Sequence, residues 1–417
     1  MIKNIRSPYI FLKFNISKNT LFLKSFFLKI LFFVLFLQLT ISCSKDDNTK
    51  MEISISCDDG IQNGDETGLD CGGSCSNPCP PENALEGVLV TRLVLHPDIE
   101  YILTGPYIVR DGAILEMDAG TVIKAQSHKN AYIAVTQGGK IYIWGSESNP
   151  VIITSDSENP APGDWGGLVI CGKAPSNNGI NARSELVDYF YGGDETTDTS
   201  GVIKYLRLEY TGENFTDDKK FNALTFYGVG SYTTVEHIQT YESLGNGFEI
   251  VGGTLNAKWL ISTNSGQNSI SIKDGWNGLG NSWYLKNASQ AGIKIENNKA
   301  DVTSTPLTSG TLNNISIIGN NYDGALHYTS GGGFITFNEV FTSNMNLGIN
   351  VNGIQSTLMV NESNLYISNI QFDNPASGFL TTNYDGSNPN FFIENSTSGA
   401  GNGALKPDWA MNWTVGF

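Results

Sequence analysis

From about Leu85 onward the chain alternates short apolar runs with clusters of Gly, Asn, Asp and Ser, and no stretch sustains a helical period. Brief β-branched and aromatic runs bounded by turn formers predict strands. The runs also recur. One series starts at Leu224 and continues at Phe248, Ile270, Ile293, Leu326 and Ile349, in steps of 24, 22, 23, 33 and 23 residues. A second series (205–208, 236–238, 258–261, 282–285, 314–317 and 338–341) runs in phase with it. Two strand series sharing a coil of roughly 22 to 24 residues predict an all-β, right-handed parallel β-helix. A sandwich has no fixed step this short, and propeller blades need roughly 40 residues. Similar alternation at 112–125, 131–135, 140–144 and 151–154 places the first coils. The long step implies an extra loop near 299–309, and Asn246, Asn268, Asn281, Asn297 and Asn352 are expected at corners, where Asn tolerates left-handed backbone.

Period-2 alternation also assigns an outer surface. Thr225, Glu249, Ser271, Lys294, His327 and Asn350 lie between inward apolar positions, and Tyr227, Val251, Lys273, Glu296, Thr329 and Asn352 form the next outward row. The resulting stripe holds Glu249, Lys273, Asp274, Lys294, Glu296 and His327, with Trp276 beside it, and is the candidate ligand-binding surface. A glycoside hydrolase needs two carboxylates roughly 5 to 9.5 Å apart, and the stripe shows no Asp-Asp or Asp-x-x-Asp pair. A lyase needs acidic calcium ligands and a base, for which Lys294 beside Glu249 and Glu296 is the one hint. His96, His128, His237 and His327 are too scattered to suggest a metal trio. The expectation is therefore no catalytic residue and no required cofactor. Cys171 and the Trp165 turn read as packing.

The N-terminal part differs in composition. Lys3, Arg6, Lys13, Lys18, Lys24 and Lys29 precede an apolar run from Ile30, and Cys43 follows just after that run. The run holds about a dozen residues, short of the roughly 20 that span a bilayer. Residues 1–42 therefore read as a secretory signal rather than a domain. With Cys43 as first mature residue it resembles a bacterial lipoprotein signal, which implies acylation of that thiol and anchorage in outer-membrane lipid. The polar stretch 43–56 is expected to be a flexible tether.

Residues 57–81 form a cysteine-rich module in which Cys57, Cys71, Cys75 and Cys79 cluster. In an exported chain an even, tight cluster reads as two disulfides, with all three pairings open. So small a segment has little core and depends on crosslinks. Asp59, Asn63, Asp65, Glu66 and Asp70 offer hard oxygens on a Gly-rich loop, so Ca²⁺ is a candidate ligand. The same residues also suit plain turn chemistry.

Charge excludes one class of partner. The formal net charge of −16 becomes −22 without residues 1–42, which carry six basic and no acidic side chains. Nucleic acid is thereby disfavoured, because phosphate binding depends on clustered Lys and Arg.

Three motifs carry a family resemblance. The run 120–125 reads GTVIKA, 163–175 reads GDWGGLVICGKAP, and 247–258 reads GFEIVGGTLNAK. With the CxDGIQNGxExGxDCGGxC pattern at 57–75 and the Lys-Asp-Asp tract after Ser44, the chain resembles a Bacteroidetes surface lipoprotein family with a β-helix domain. The resemblance implies an outer-membrane lipoprotein facing the cell exterior. Relatives carry acidic residues where this chain has Leu244-Gly245-Asn246 and Ser265-Gly266-Gln267-Asn268, which implies that any cation site there is lost. The β-helix domain is expected over 85–417, with Trp409 and Trp413 in a C-terminal segment that caps its open end. The functional expectation is non-catalytic binding or adhesion to a polysaccharide or another host or cell-surface polymer. The alternatives are a β-helix polysaccharide lyase or glycoside hydrolase, and a purely structural envelope lipoprotein.

Overall fold

The computed structural model describes Cys57, Asp58, residues 64–66, 71–76, Cys79 and residues 83–417 other than Asp218. The chain divides into two units, 1–79 and 80–417. In the first, disulfides join Cys57 to Cys75 and Cys71 to Cys79. Cys43, Asp59, Asn63 and Asp70 lie outside the described residues.

In the second unit 24 strands join one continuous sheet by parallel pairing, as a β-helix requires. The predicted periodicity is met residue for residue on one face. There Leu168–Cys171 pairs with Leu224–Tyr227, then Phe248–Val251, Ile270–Lys273, Ala291–Ile295, Gly324–Tyr328 and Leu347–Val351 follow in turn. Leu224, Phe248, Ile270, Ile293, Leu326 and Ile349 stack inward and are fully buried. Burying such a side chain is worth roughly 1.5–3 kcal/mol, so one inward row contributes heavily to the fold.

The second series serves two faces with single long strands. Gly201–Glu209 pairs through its first half with Lys140–Trp144 and through its second half with Val151–Ser155. The earlier coils thus supply two strands where later coils bend one. The bend falls on Tyr205, His237, Trp259, Ser282, Asn314 and Glu339, at φ of 49°, 57°, 55°, 58°, 60° and 62°. Side chains as bulky as those of Tyr205 and Trp259 rarely adopt left-handed backbone. Stacking offsets the strain in three successive coils, since the His237 ring lies 4.2 Å from Tyr205 and 4.4 Å from Trp259.

The five corner asparagines expected at left-handed positions are not there, because positive φ falls on other residues. Two of them use their side-chain carbonyls instead. The backbone N–H of Asn268 donates to Asn246 Oδ1 at 3.0 Å, and that of Ala291 to Asn268 Oδ1 at 3.1 Å. An Asn side chain reproduces a peptide group, so the ladder satisfies turn N–H groups that the strands leave unpaired. The extra loop falls where expected, between Ala291–Ile295 and Thr311–Ile318.

The C-terminal segment does not cap the open end; it runs back along a side. Outward residues Arg207, Gln239, Ile261, Tyr284, Ser316, Phe341 and Gln371 form one row across successive coils. The segment descends it. Thr397 N–H donates to Gln371 Oε1, Ala400 N–H to Ser316 Oγ, Tyr284 Oη–H to Ala404 O, and the Arg207 guanidinium to Trp413 O. The reason is composition: Ile261 and Tyr284 give that row an apolar surface, which Ala400, Ala410 and Trp413 bury. At the last coils the core is covered by Phe372, Phe379, Tyr384 and Phe392.

Candidate functional site

The face bearing the predicted stripe changes character along its length. Its outward row runs Val88, Ile108, Ala134, Val169, Thr225, Glu249, Ser271, Lys294, His327, Asn350 and Asn383, apolar first and polar after. From Ile108 to Val169 the apolar part is covered by an arm whose strands Ala182–Arg183 and Phe190–Tyr191 pair antiparallel. Its Leu186, Val187 and Tyr189 pack on a cluster that includes Ile108, Val169 and Tyr227. A second hairpin, Asn214–Thr216 with Lys219–Lys220, lies beside it. Where the arm ends, the polar rungs open into a cleft of about 280 Å³.

Lys273 forms the floor. Its side chain is 7% exposed, and Nζ lies 2.9 Å from Glu185 Oε1 and 3.2 Å from Glu249 Oε1. Burial alone would lower its pKa, but the carboxylates of Glu249 and Glu185 outweigh burial and hold the ammonium well above its ordinary value. Glu185 is pushed up by burial and pulled down further by Lys273, for a net lowering. Glu249 is fixed from below, where the Asn222 amide donates to Oε2 at 2.9 Å. The Tyr227 hydroxyl is buried at the same wall with no hydrogen-bond partner. One rung past Lys273, Lys294 Nζ lies 3.2 Å from Glu296 Oε2, and Lys299 Nζ lies 3.9 Å from Oε1.

The charge of this cleft opposes that of the chain. Its lining holds Lys219, Lys220, Lys273, Lys294 and Lys299 against Glu185, Glu249 and Glu296, an excess of two positive charges. Asn222, Asn246, Gln267, Asn268 and Gln290 add amides that both donate and accept. Such a surface suits a hydroxylated, anionic ligand. It is poorly equipped for acid–base work, because Glu249 and Glu296 are ion-paired and Lys273 is held protonated.

Of the expected stripe residues, the cleft brings together Glu249, Lys273, Lys294 and Glu296. The other three stand elsewhere. Trp276 is fully buried in the core with its indole N–H donating to Leu255 O at 3.1 Å, which corrects its placement on the outer surface. Asp274 and Gly275, at φ of 58° and 90°, turn the chain inward ahead of it. Asp274 is buried outside the cleft, accepts from the Asn178 amide at 2.9 Å, and has its pKa raised by burial to about 6. His327 sits one coil past Lys294, with Nε2 3.3 Å from the Asn352 amide and a pKa lowered mainly by burial. Sequence reasoning missed Glu185, Lys219, Lys220 and Lys299, which come from the arm, the second hairpin and the inserted loop and so carry no repeat signal.

In the cysteine-rich unit, Asp65 Oδ1 accepts from Ser74 Oγ at 2.8 Å, a turn-stabilising contact that lowers its pKa. Cys57, Glu66 and Cys75 approach one another within 4.8 Å, but both sulfurs belong to a disulfide and offer no thiolate.

A model of the pectate-lyase-like β-helix domain family matches residues 87–414. No curated protein matches the chain significantly. Among solved structures, the catalytic unit of a thermostable GH87 alpha-1,3-glucanase from Streptomyces thermodiastaticus strain HF3-3 is 16% identical at a TM-score of 0.37. The match covers 73% of this chain and 62% of that one, so the chain spans less than two thirds of that unit.

Proposed function

The chain belongs to the pectate-lyase-like β-helix domain family, and from that premise we propose that it binds an acidic polysaccharide along the lysine-rich cleft without cleaving it. The observation that carries this reading is the cleft's charge: five lysines against three glutamates on a chain whose formal charge is −16. Random scatter of surface charge on so acidic a chain would leave a negative cleft. Ion pairing of the floor carboxylates supports binding over hydrolysis or elimination. The open, rung-by-rung surface favours a linear polymer lying along successive coils over a small compact ligand.

The same proposal places the protein at the outer face of a bacterial outer membrane, fastened by acylated Cys43. The basic leader, the apolar run and the position of that thiol support it. Several acyl chains at about 0.8 kcal/mol per buried methylene make a firm anchor.

The test is calorimetric titration of the full chain with oligogalacturonate and with its carboxyl-reduced counterpart, alongside an assay for new unsaturated or reducing ends. Binding of the acidic chain without cleavage supports the reading. Cleavage, or indifference to both ligands, overturns it.

A further inference from the structure

Lys273 is satisfied from two sides that differ in kind. Glu249 belongs to the neighbouring rung of the β-helix, is 9% exposed in its side chain, and is held by Asn222. Glu185 comes from the arm, its side chain is 62% exposed, and it reaches Lys273 from the solvent side. One carboxylate is part of the scaffold, while the other lies over the floor of the cleft on an exposed side chain of the arm.

We infer that Glu185 is a built-in stand-in for a ligand carboxylate, occupying on Lys273 the place that an acid group of the bound polymer takes. The inference rests on the acidic-polysaccharide reading and adds to it a site, Lys273, and a competitor, Glu185. Three further observations point the same way. The Tyr227 hydroxyl, fully buried at the cleft wall, has no hydrogen-bond partner. It supplies the donor that a second oxygen of an incoming carboxylate needs. Lys219 Nζ donates to the backbone carbonyl of Glu185 at 2.8 Å, so the arm tip is held by its peptide group and the side chain is free to turn away. The Glu185 side chain is also 62% exposed, so water can take over its solvation when a ligand displaces it.

No covalent step is involved. The incoming carboxylate replaces Glu185 on the ammonium, and Glu185 turns to water with its charge unchanged. The net charge of the complex therefore changes by the ligand's negative charge alone. The arm so becomes a selectivity device: a neutral sugar cannot displace Glu185, whereas an acidic one can.

The experiment compares wild type, Glu185→Gln and Glu185→Asp as full chains, titrated with oligogalacturonate and with the carboxyl-reduced oligosaccharide. Removing a competitor that holds the site most of the time raises apparent affinity by the inverse of the free fraction, on the order of tenfold. Glu185→Gln should bind the acidic chain about that much tighter, with no gain for the neutral chain, while Glu185→Asp stays near wild type. Binding by wild type with Glu185→Gln no tighter overturns the stand-in and leaves the acidic-polysaccharide reading in place. Loss of binding in all three proteins overturns both.

Discussion

Gln239 and Val415 exchange two hydrogen bonds, with the Gln239 amide donating to Val415 O at 2.7 Å and Val415 N–H donating to Gln239 Oε1 at 3.0 Å. A side chain on the outer wall of the β-helix thus pairs with the chain's end like a strand partner. Nearby, Trp413 is fully buried against Ile261 and Tyr284. Trp413→Ala should cost about 3–5 kcal/mol, the usual range for emptying a buried aromatic site. Gln239→Ala leaves Val415 unpaired and should cost about 1–3 kcal/mol. Denaturant midpoints of the two variants check both values.

Acid should act on buried Asp274 and half-buried His237 with opposite sign. Burial raises Asp274 to about 6, so its contribution is complete below its unfolded value of about 4 and is lost as pH rises through 6. Burial between Tyr205 and Trp259 lowers His237 to about 4, so its contribution is complete above about 6.5 and is lost as pH falls through 4. In wild type the two slopes oppose each other. Asp274→Asn should therefore lose stability as pH falls from about 6.5 to 4.5, and His237→Phe should gain it. Equilibrium unfolding across that window reads both directions.

The cysteine-rich unit has a defined pairing. Peptide mapping under non-reducing conditions should recover Cys57 with Cys75 and Cys71 with Cys79, leaving Cys171 free. Reduction should destabilise that unit by about 2–5 kcal/mol per bond. The parallel sheet contains no disulfide and should keep its far-ultraviolet dichroism.

The proposed anchor at Cys43 has a direct readout. Cys43→Ser should abolish incorporation of labelled palmitate and move the protein from the detergent phase to the aqueous phase. Palmitate retained by the serine variant would refute acylation at that thiol.

The legible parts of this molecule are those that repeat. Leu224, Phe248 and Ile270 share a period because each fills the same inward place in its coil, and that regularity passes directly into the order of residues. Glu249, Lys273, Lys294 and Glu296 were readable for the same reason, since outward rungs alternate with inward ones. Trp276 was misjudged because two left-handed residues ahead of it reverse the alternation, and nothing in Asp274 announces such a turn. Glu185 was invisible, because an arm that folds back 88 residues to reach Lys273 leaves no local pattern. The C-terminal segment was misplaced for a related reason: an apolar tail shows that it needs a surface, but not which one.

Salt and charge dependence of ligand binding bears most directly on the cleft. Oligogalacturonate should be titrated against the full wild-type chain and the Lys294→Gln/Lys299→Gln double variant at low and high salt. Binding by wild type should weaken as salt rises, the double variant should show a marked loss, and the oligosaccharide should be recovered intact. Equal binding by both proteins, insensitive to salt, would contradict the proposed binding along the cleft.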